Sequence, residues 1–254
     1  SKSKIRQFIK DLSIDEYEAE KPINQYANFN EFFARKLKPA ARPICPDEDR
    51  FIMPGDGRVS VVPQIQNDRV FHIKGVNFYL SDFLADNDLA QKYEGGSLVV
   101  VRLCPADYHR FHFPCDGTPG EAQRLAGVLY SVNPIALWQQ PSLFCENERV
   151  LIPFRLPNDQ EILLVDVGAT MVGKIHQTYV PGNMVRKAEE RGYFTFGAST
   201  TVIVFPPNCI EFDQDLIANS AKGLETLCKM GSSLGSCSDD SKKNESVSSG
   251  AKDL

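Results

Sequence analysis

The sequence predicts an α+β protein: a β-rich core of short antiparallel strands, with N-terminal helices and a C-terminal helix. Three observations predict it. From about residue 44 to 210, apolar runs of four to seven residues alternate with Gly, Pro, Asn and Asp, the signature of strands joined by tight turns. The first 38 residues and residues 212–230 instead repeat apolar residues at helical spacing. The 254 residues, 42% hydrophobic and 24% charged, are enough to bury a core without staples and exclude collagen-like, wholly disordered and coiled-coil chains.

The elements follow in order. Ile5, Phe8, Ile9 and Leu12 form an apolar stripe among Lys2, Lys4, Arg6 and Lys10; this reads as a packed amphipathic helix or as one lying on an anionic membrane surface. Asn30 is the expected N-cap of a second helix over EFFARKL, which Pro39 and Pro43 terminate. Strands are expected in RVSVVPQI, GSLVVVRL, RVLIPFRL, EILLVDVGATMVGKI and STTVIVF, and short helices in NFYLSDFLA and LAQKY. Leu216, Ile217, Leu224, Leu227 and Met230 suggest one helix over 212–230. Beyond Met230, Ser, Gly, Asp and Lys dominate with no aromatic residue, which cannot bury enough apolar surface to order itself. The expected organisation is an N-terminal helical segment (1–43), packed or membrane-associating, a β-rich domain (44–230) that would carry any active site, and a disordered tail (231–254).

The net charge of −5 argues against a nucleic-acid partner. Aliphatic runs are only a few residues long, whereas a spanning helix needs about 20. Seven cysteines with no CxxC read as free thiols in a reducing compartment. The first residue is Ser rather than Met, as in a processed piece of a longer chain, and the terminal KDL only partly matches a retention signal.

Three clusters carry candidate chemistry. PADYHRFHFPCDG (105–117) places His109 and His112 three residues apart, beside Asp, Tyr and Arg. Cys104, Cys115 and Asp116 lie nearby without forming a zinc-ligand pattern, so no metal is expected; the plain alternative is a strand end with satisfied histidines. GYFTFGASTTVIVF (192–205) sets Ala198 and Ser199 on a small-residue turn before a β-branched strand; a hydroxyl there is a nucleophile only if a base reaches it, and the turn lacks the GxSxG form. MPGDGRV (53–59) presents Asp56 between two glycines, which on its own is an ordinary turn. Together they hold the parts of an orienting acid, a general base and a nucleophile.

These segments resemble the phosphatidylserine decarboxylase family. The similarity runs in order through NEFFARKLKPAARPI (30–44), PGDGRV (54–59), IKGVNFYL (73–80), RLCPADYHRFHFPCDG (102–117), VGATMVGKI (167–175) and ERGYFTFGASTTVIVF (190–205). It implies a self-processing enzyme that converts phosphatidylserine to phosphatidylethanolamine and carbon dioxide. Ser199 matches the serine whose side chain becomes a covalent pyruvoyl group after cleavage between Ala198 and Ser199. His112 matches the base that takes the Ser199 proton, Asp56 the acid that orients His112, and His109 the residue of the decarboxylation step. The pyruvoyl carbonyl would accept the electrons released with carbon dioxide, the role pyridoxal phosphate has elsewhere. The implied partners are phosphatidylserine in a membrane and the chain's own two fragments as a heterodimer, with homo-oligomers compatible. The implied placement is a peripheral membrane protein, on endomembranes or mitochondria in a eukaryote. The alternatives are pyruvoyl decarboxylation of a soluble amino acid, and an uncleaved non-catalytic homologue. The last is motivated by Ala198, where the family usually has Gly; a Cβ costs about 1–2 kcal/mol if φ there is positive. Ala188 likewise stands where Gly is usual, and PGDG replaces PADG.

Overall fold

The computed structural model describes residues 2–71, 77–128, 143–168, 175–196 and 199–238. The expected α+β class is observed. At its centre is an antiparallel sheet in the order β15-β2-β5-β13-β10-β9-β7, with β8 also paired to β9. Its strands are β2 (Gly57–Val62), β5 (Ser97–Leu103), β7 (Thr118–Pro119), β8 (Gln123–Leu125), β9 (Arg149–Arg155), β10 (Glu161–Val167), β13 (Ser199–Phe205) and β15 (Thr226–Cys228). The long members fall within the five apolar runs picked out in the sequence; of the run EILLVDVGATMVGKI, β10 takes 161–167 and residues 169–174 lie outside the described residues.

β13 lies between β5 and β10, and all seven of its residues are buried. A strand covered on both faces needs no polar face, which is why STTVIVF reads as continuous. Its alternation still sorts residues: Ile203 and Phe205 join one core cluster, Val202 and Val204 the other. Strand parity puts Ser199 and Thr201 on the Ile203 side. On that side lies a second sheet of β11 (Ile175–Gln177), β12 (Glu190–Phe194) and β6 (Arg110–His112), in that order. It contributes Phe111, Phe194 and Ile175 to the shared core. A third sheet joins β1 (Arg50–Ile52), β16 (Ser233–Cys237) and β14 (Ile210–Phe212), and β3 (Arg69–Phe71) pairs with β4 (Asn77–Tyr79). α3 (Leu80–Leu84) and α4 (Asn87–Lys92) fall where short helices were expected, and α5 (Leu143–Glu146) precedes β9.

At the N-terminus, α1 (Lys2–Leu12) packs on α2 (Phe29–Phe33). Ile5 is fully buried with Tyr26 and Phe32, and Phe8 and Ile9 lie against them. The cap of α2 is Asn28 rather than Asn30. Asn28 Oδ1 accepts from the Glu31 amide at 3.0 Å while Glu31 Oε2 accepts from the Ala27 amide at 2.7 Å, a reciprocal arrangement that residue 30 cannot make because it lies one position from Glu31.

Two C-terminal expectations are corrected. The helix over 212–230 is shorter: α6 spans Gln214–Ala221. Gly223, at φ +71°, turns the chain, and 226–228 become β15 on the edge beside β2. Leu224 and Leu227 are exposed, so they were never one buried helical stripe. The tail does not start at 231. Ser233–Cys237 forms β16 between β1 and β14, with Leu234 fully buried. A Cβ on Gly235 would sit 2.3 Å from the Glu211 carbonyl, so the small residues that looked disordered permit close strand pairing. Residues 239–254 lie outside the described residues.

Candidate active site

Ser199 opens β13 opposite Leu103, at the C-terminal end of β5. Two faces of physical chemistry meet there. The hydroxyl is fully buried, and its neighbour is an imidazole from the chain that leaves β5 and turns into β6. His109 Nδ1 lies 3.3 Å from Ser199 Oγ, and His109 Nε2 lies 3.0 Å from the Cys104 carbonyl oxygen. A carbonyl only accepts, so the ring proton sits on Nε2 and donates to Cys104, leaving the Nδ1 lone pair to accept from the serine hydroxyl. The 104–109 turn is itself held by Asp107, whose Oδ2 accepts from the Cys104 amide at 2.6 Å.

His109 is fully buried and stacks on Phe33 of α2, ring centroids 3.9 Å apart. Burial, with the nearby Arg35 charge second, pushes its pKa down to about 3. The imidazole is therefore neutral at any physiological pH and able to take a proton. Phe8, Phe29 and Phe196 close around Phe33, with centroid separations of 4.9–6.4 Å, so the N-terminal helices form the lid that keeps water from the pair.

The other expected site residues lie elsewhere. The imidazole on Ser199 is His109; His112 points away from it. Its Nδ1 donates to the Ala188 carbonyl at 2.9 Å and its Nε2 accepts from Tyr108 Oη at 3.1 Å. Burial lowers its pKa as well. The reason is parity. The Phe194 amide donates to the His109 carbonyl, so the ladder of β6 and β12 extends back to residue 109. On a strand, residues three apart face opposite sides: His109 shares the core side with Phe111, His112 the other with Arg110. Asp56 meets neither histidine through a hydrogen bond among the described residues. Arg42 donates to it from Nε at 2.8 Å and Nη2 at 2.5 Å, and the Met230 amide donates at 2.9 Å. It ties the N-terminal segment and the chain before β16 to the turn at Gly55–Gly57. The expected orientation of His112 by Asp56 is thus absent from this arrangement. Ala198 lies outside the described residues.

Sequence reasoning missed one element of the site. Asp166 and Arg191 are both fully buried and joined by two hydrogen bonds of 2.8 and 2.7 Å, and Thr201 bridges to both at 3.0 Å. This network ties β10, β12 and β13 together two residues from Ser199. Its signal was legible: Asp166, flanked by apolar residues on both sides in ILLVDV, needs a buried partner. Among the described residues no group of three or more His, Cys, Asp or Glu is arranged to hold a metal.

Comparison with known proteins bears on most of the chain. The family model for phosphatidylserine decarboxylase matches residues 29–236. A phosphatidylserine decarboxylase proenzyme of Ruminiclostridium cellulolyticum is 43% identical over 239 residues, covering 94% of this chain and 80% of the relative. One from Clostridium perfringens is 47% identical over 235 residues, covering 92% and 80%. One from Chlamydia trachomatis is 46% identical over 231 residues, covering 91% and 77%.

Proposed function

We propose that this chain, which belongs to the phosphatidylserine decarboxylase family, is an enzyme that decarboxylates phosphatidylserine to phosphatidylethanolamine, after cutting itself before Ser199 into two chains that stay together. The observation that carries the reading is the buried Ser199–His109 pair, whose proton positions are set by the Cys104 carbonyl. The relatives' names as proenzymes support the processing.

The residues present fit a pyruvoyl group derived from Ser199: the side chain is buried at a strand start, beside a neutral base and under an aromatic lid. When formed, that group supplies an electron-accepting carbonyl conjugated to the chain. The chain's own residues do the rest. His109 Nδ1 lies 3.3 Å from Ser199 Oγ, so its lone pair faces residue 199 and it is the residue placed to carry a proton beside that position during turnover. Phe33, Phe29 and Phe196 exclude water, which favours loss of a charged carboxylate as a neutral gas. Asp166, Arg191 and Thr201 fix β13, and with it residue 199. The cleavage roles that resemblance gives His112 and Asp56 require His112 to leave the Ala188 carbonyl and reach the hydroxyl.

Among the described residues no helix is long and apolar enough to cross a membrane, and a lipid substrate calls for peripheral contact. We place that contact at the α1–α2 layer. A cavity of about 600 Å³ opens there, with Lys4, Phe8, Asp11, Phe29 and Phe196 among its lining residues, and Lys4, Arg6 and Lys10 of α1 outnumber Asp11 in positive charge for anionic headgroups.

The test is His109→Ala assayed for carbon dioxide release from phosphatidylserine and run on a denaturing gel. Loss of release is expected, and full release would overturn the role of His109. The gel assigns the stage: a single chain gives the cleavage proton to His109 too, and two chains show that cleavage does not need His109. The same assay with free amino acids separates a lipid substrate from a soluble one.

A further inference from the structure

Resting on the proposed function, we infer that Arg35 is the residue that binds the substrate's phosphodiester. Arg35 lies two residues past the end of α2, after its C-cap Ala34, and is 5% exposed. One nitrogen, Nη2, donates to the Ala106 carbonyl at 3.3 Å, and the guanidinium lies 5.0 Å over the Phe32 ring. Its Nε and Nη1 are buried with no hydrogen-bond partner. The carboxylates within its electrostatic range, Asp56 and Glu18, are both committed to Arg42 at 2.5 and 2.9 Å. A buried cation left without an anion is costly, so the fold retains at this point a receptor whose partner the chain does not supply.

The receptor stands beside the chemistry. The same turn gives its Cys104 carbonyl to His109 and its Ala106 carbonyl to Arg35, and Phe33, which stacks on His109, is two residues before Arg35. Arg35 is close enough to the imidazole for its charge to disfavour the imidazolium.

Phosphatidylserine brings two anions, a carboxylate and a phosphodiester. A guanidinium on the departing carboxylate would hold the ground state more tightly than the transition state, in which that charge moves away, and would slow the reaction. The phosphodiester keeps its charge throughout. Binding it stabilises substrate and transition state equally, which lowers KM and leaves kcat alone. Arg35 is thus a binding residue for the anion that does not react, and it orients the headgroup so that the amine and carboxylate reach residue 199.

The experiment compares wild type, Arg35→Met and Arg35→Lys, each first checked on a denaturing gel for both chains. With short-chain dihexanoyl phosphatidylserine, Arg35→Met should raise KM roughly 10- to 100-fold, the range of a hydrogen bond to a charged group, with kcat within about threefold. Arg35→Lys should recover part of the loss. Dihexanoyl phosphatidylethanolamine keeps the phosphate and lacks the carboxylate, so its inhibition constant should rise in step with KM. Inorganic phosphate as a competitor shows whether the site takes the free ion as well as the headgroup. An unchanged inhibition constant beside a raised KM would assign Arg35 to the carboxylate and overturn the proposal, as would a fallen kcat with unchanged KM. Thermal shift with dihexanoyl phosphatidylethanolamine needs no turnover: an Arg35-dependent shift in a protein that releases no carbon dioxide would sink the proposed function and leave this site standing. Without lipid, Arg35→Met should melt no lower than wild type, because it removes an unpaired buried charge.

Discussion

Moving from pH 7.5 to 5 should cost the fold about 2 kcal/mol through His109 alone. His109 titrates near 6.5 when unfolded and at about 3 when folded, because burial and the Arg35 charge disfavour the imidazolium. The unfolded chain therefore binds the extra proton first. Stability is complete above pH 6.5, falls as pH drops below it, and levels off only near pH 3. At pH 5 the unfolded group is 1.5 units past its midpoint and the folded group is still neutral, which at about 1.4 kcal/mol per unit gives roughly 2 kcal/mol. The assay is urea unfolding of Ser199→Ala, which stays a single chain, against Ser199→Ala/His109→Gln, each at both pH values. Ser199 is not a cause of the shift, so the first variant keeps it. His112 is also shifted down by burial, but it is present in both proteins and cancels. The single variant should lose about 1 M more of its urea midpoint, for a slope near 2 kcal/mol per M. Equal losses in the two proteins would refute the claim that a buried, neutral His109 sits in this site.

Two further outcomes follow from the framework around the site. Asp166→Ala leaves Arg191 charged and unpaired in a fully buried position, so the uncleaved chain should lose about 3–5 kcal/mol in denaturant titration; a loss under 1 kcal/mol would mean that the network does not hold β13. Ala188 sits at φ +70°, so Ala188→Gly should gain about 0.5–1 kcal/mol net of the greater freedom of unfolded glycine, read as a raised melting temperature; a lowered one would show that the strain is not released by glycine.

The motifs already held Ser199 and both histidines, because only four histidines occur in the chain and Ser199 lies in a short matched string. Pattern also located β2, β5, β9, β10 and β13, because a strand buried on both faces must be apolar along its length and flanked by turns. Ala188 was marked by its departure from a usual glycine, and its positive φ supplies the physical cause. The tail was misread at 233–237 because small polar residues suit both disorder and close strand pairing, and only the neighbouring Glu211 backbone distinguishes them.

Sequence alone determined which side chains were available for the chemistry, since hydroxyl, imidazole and carboxylate reactivity belong to residue type. Tertiary structure decided which of them meet. His109 and His112 are equivalent as letters, and strand parity with the β6–β12 pairing sends one to Ser199 and the other to Ala188. Asp56 was free to orient a histidine until Arg42, fourteen residues earlier, was folded onto it. Arg35 became notable only when packing closed around it and left two of its nitrogens without an acceptor. Pairing and burial depend on distances between segments remote in the chain, and no local pattern contains them.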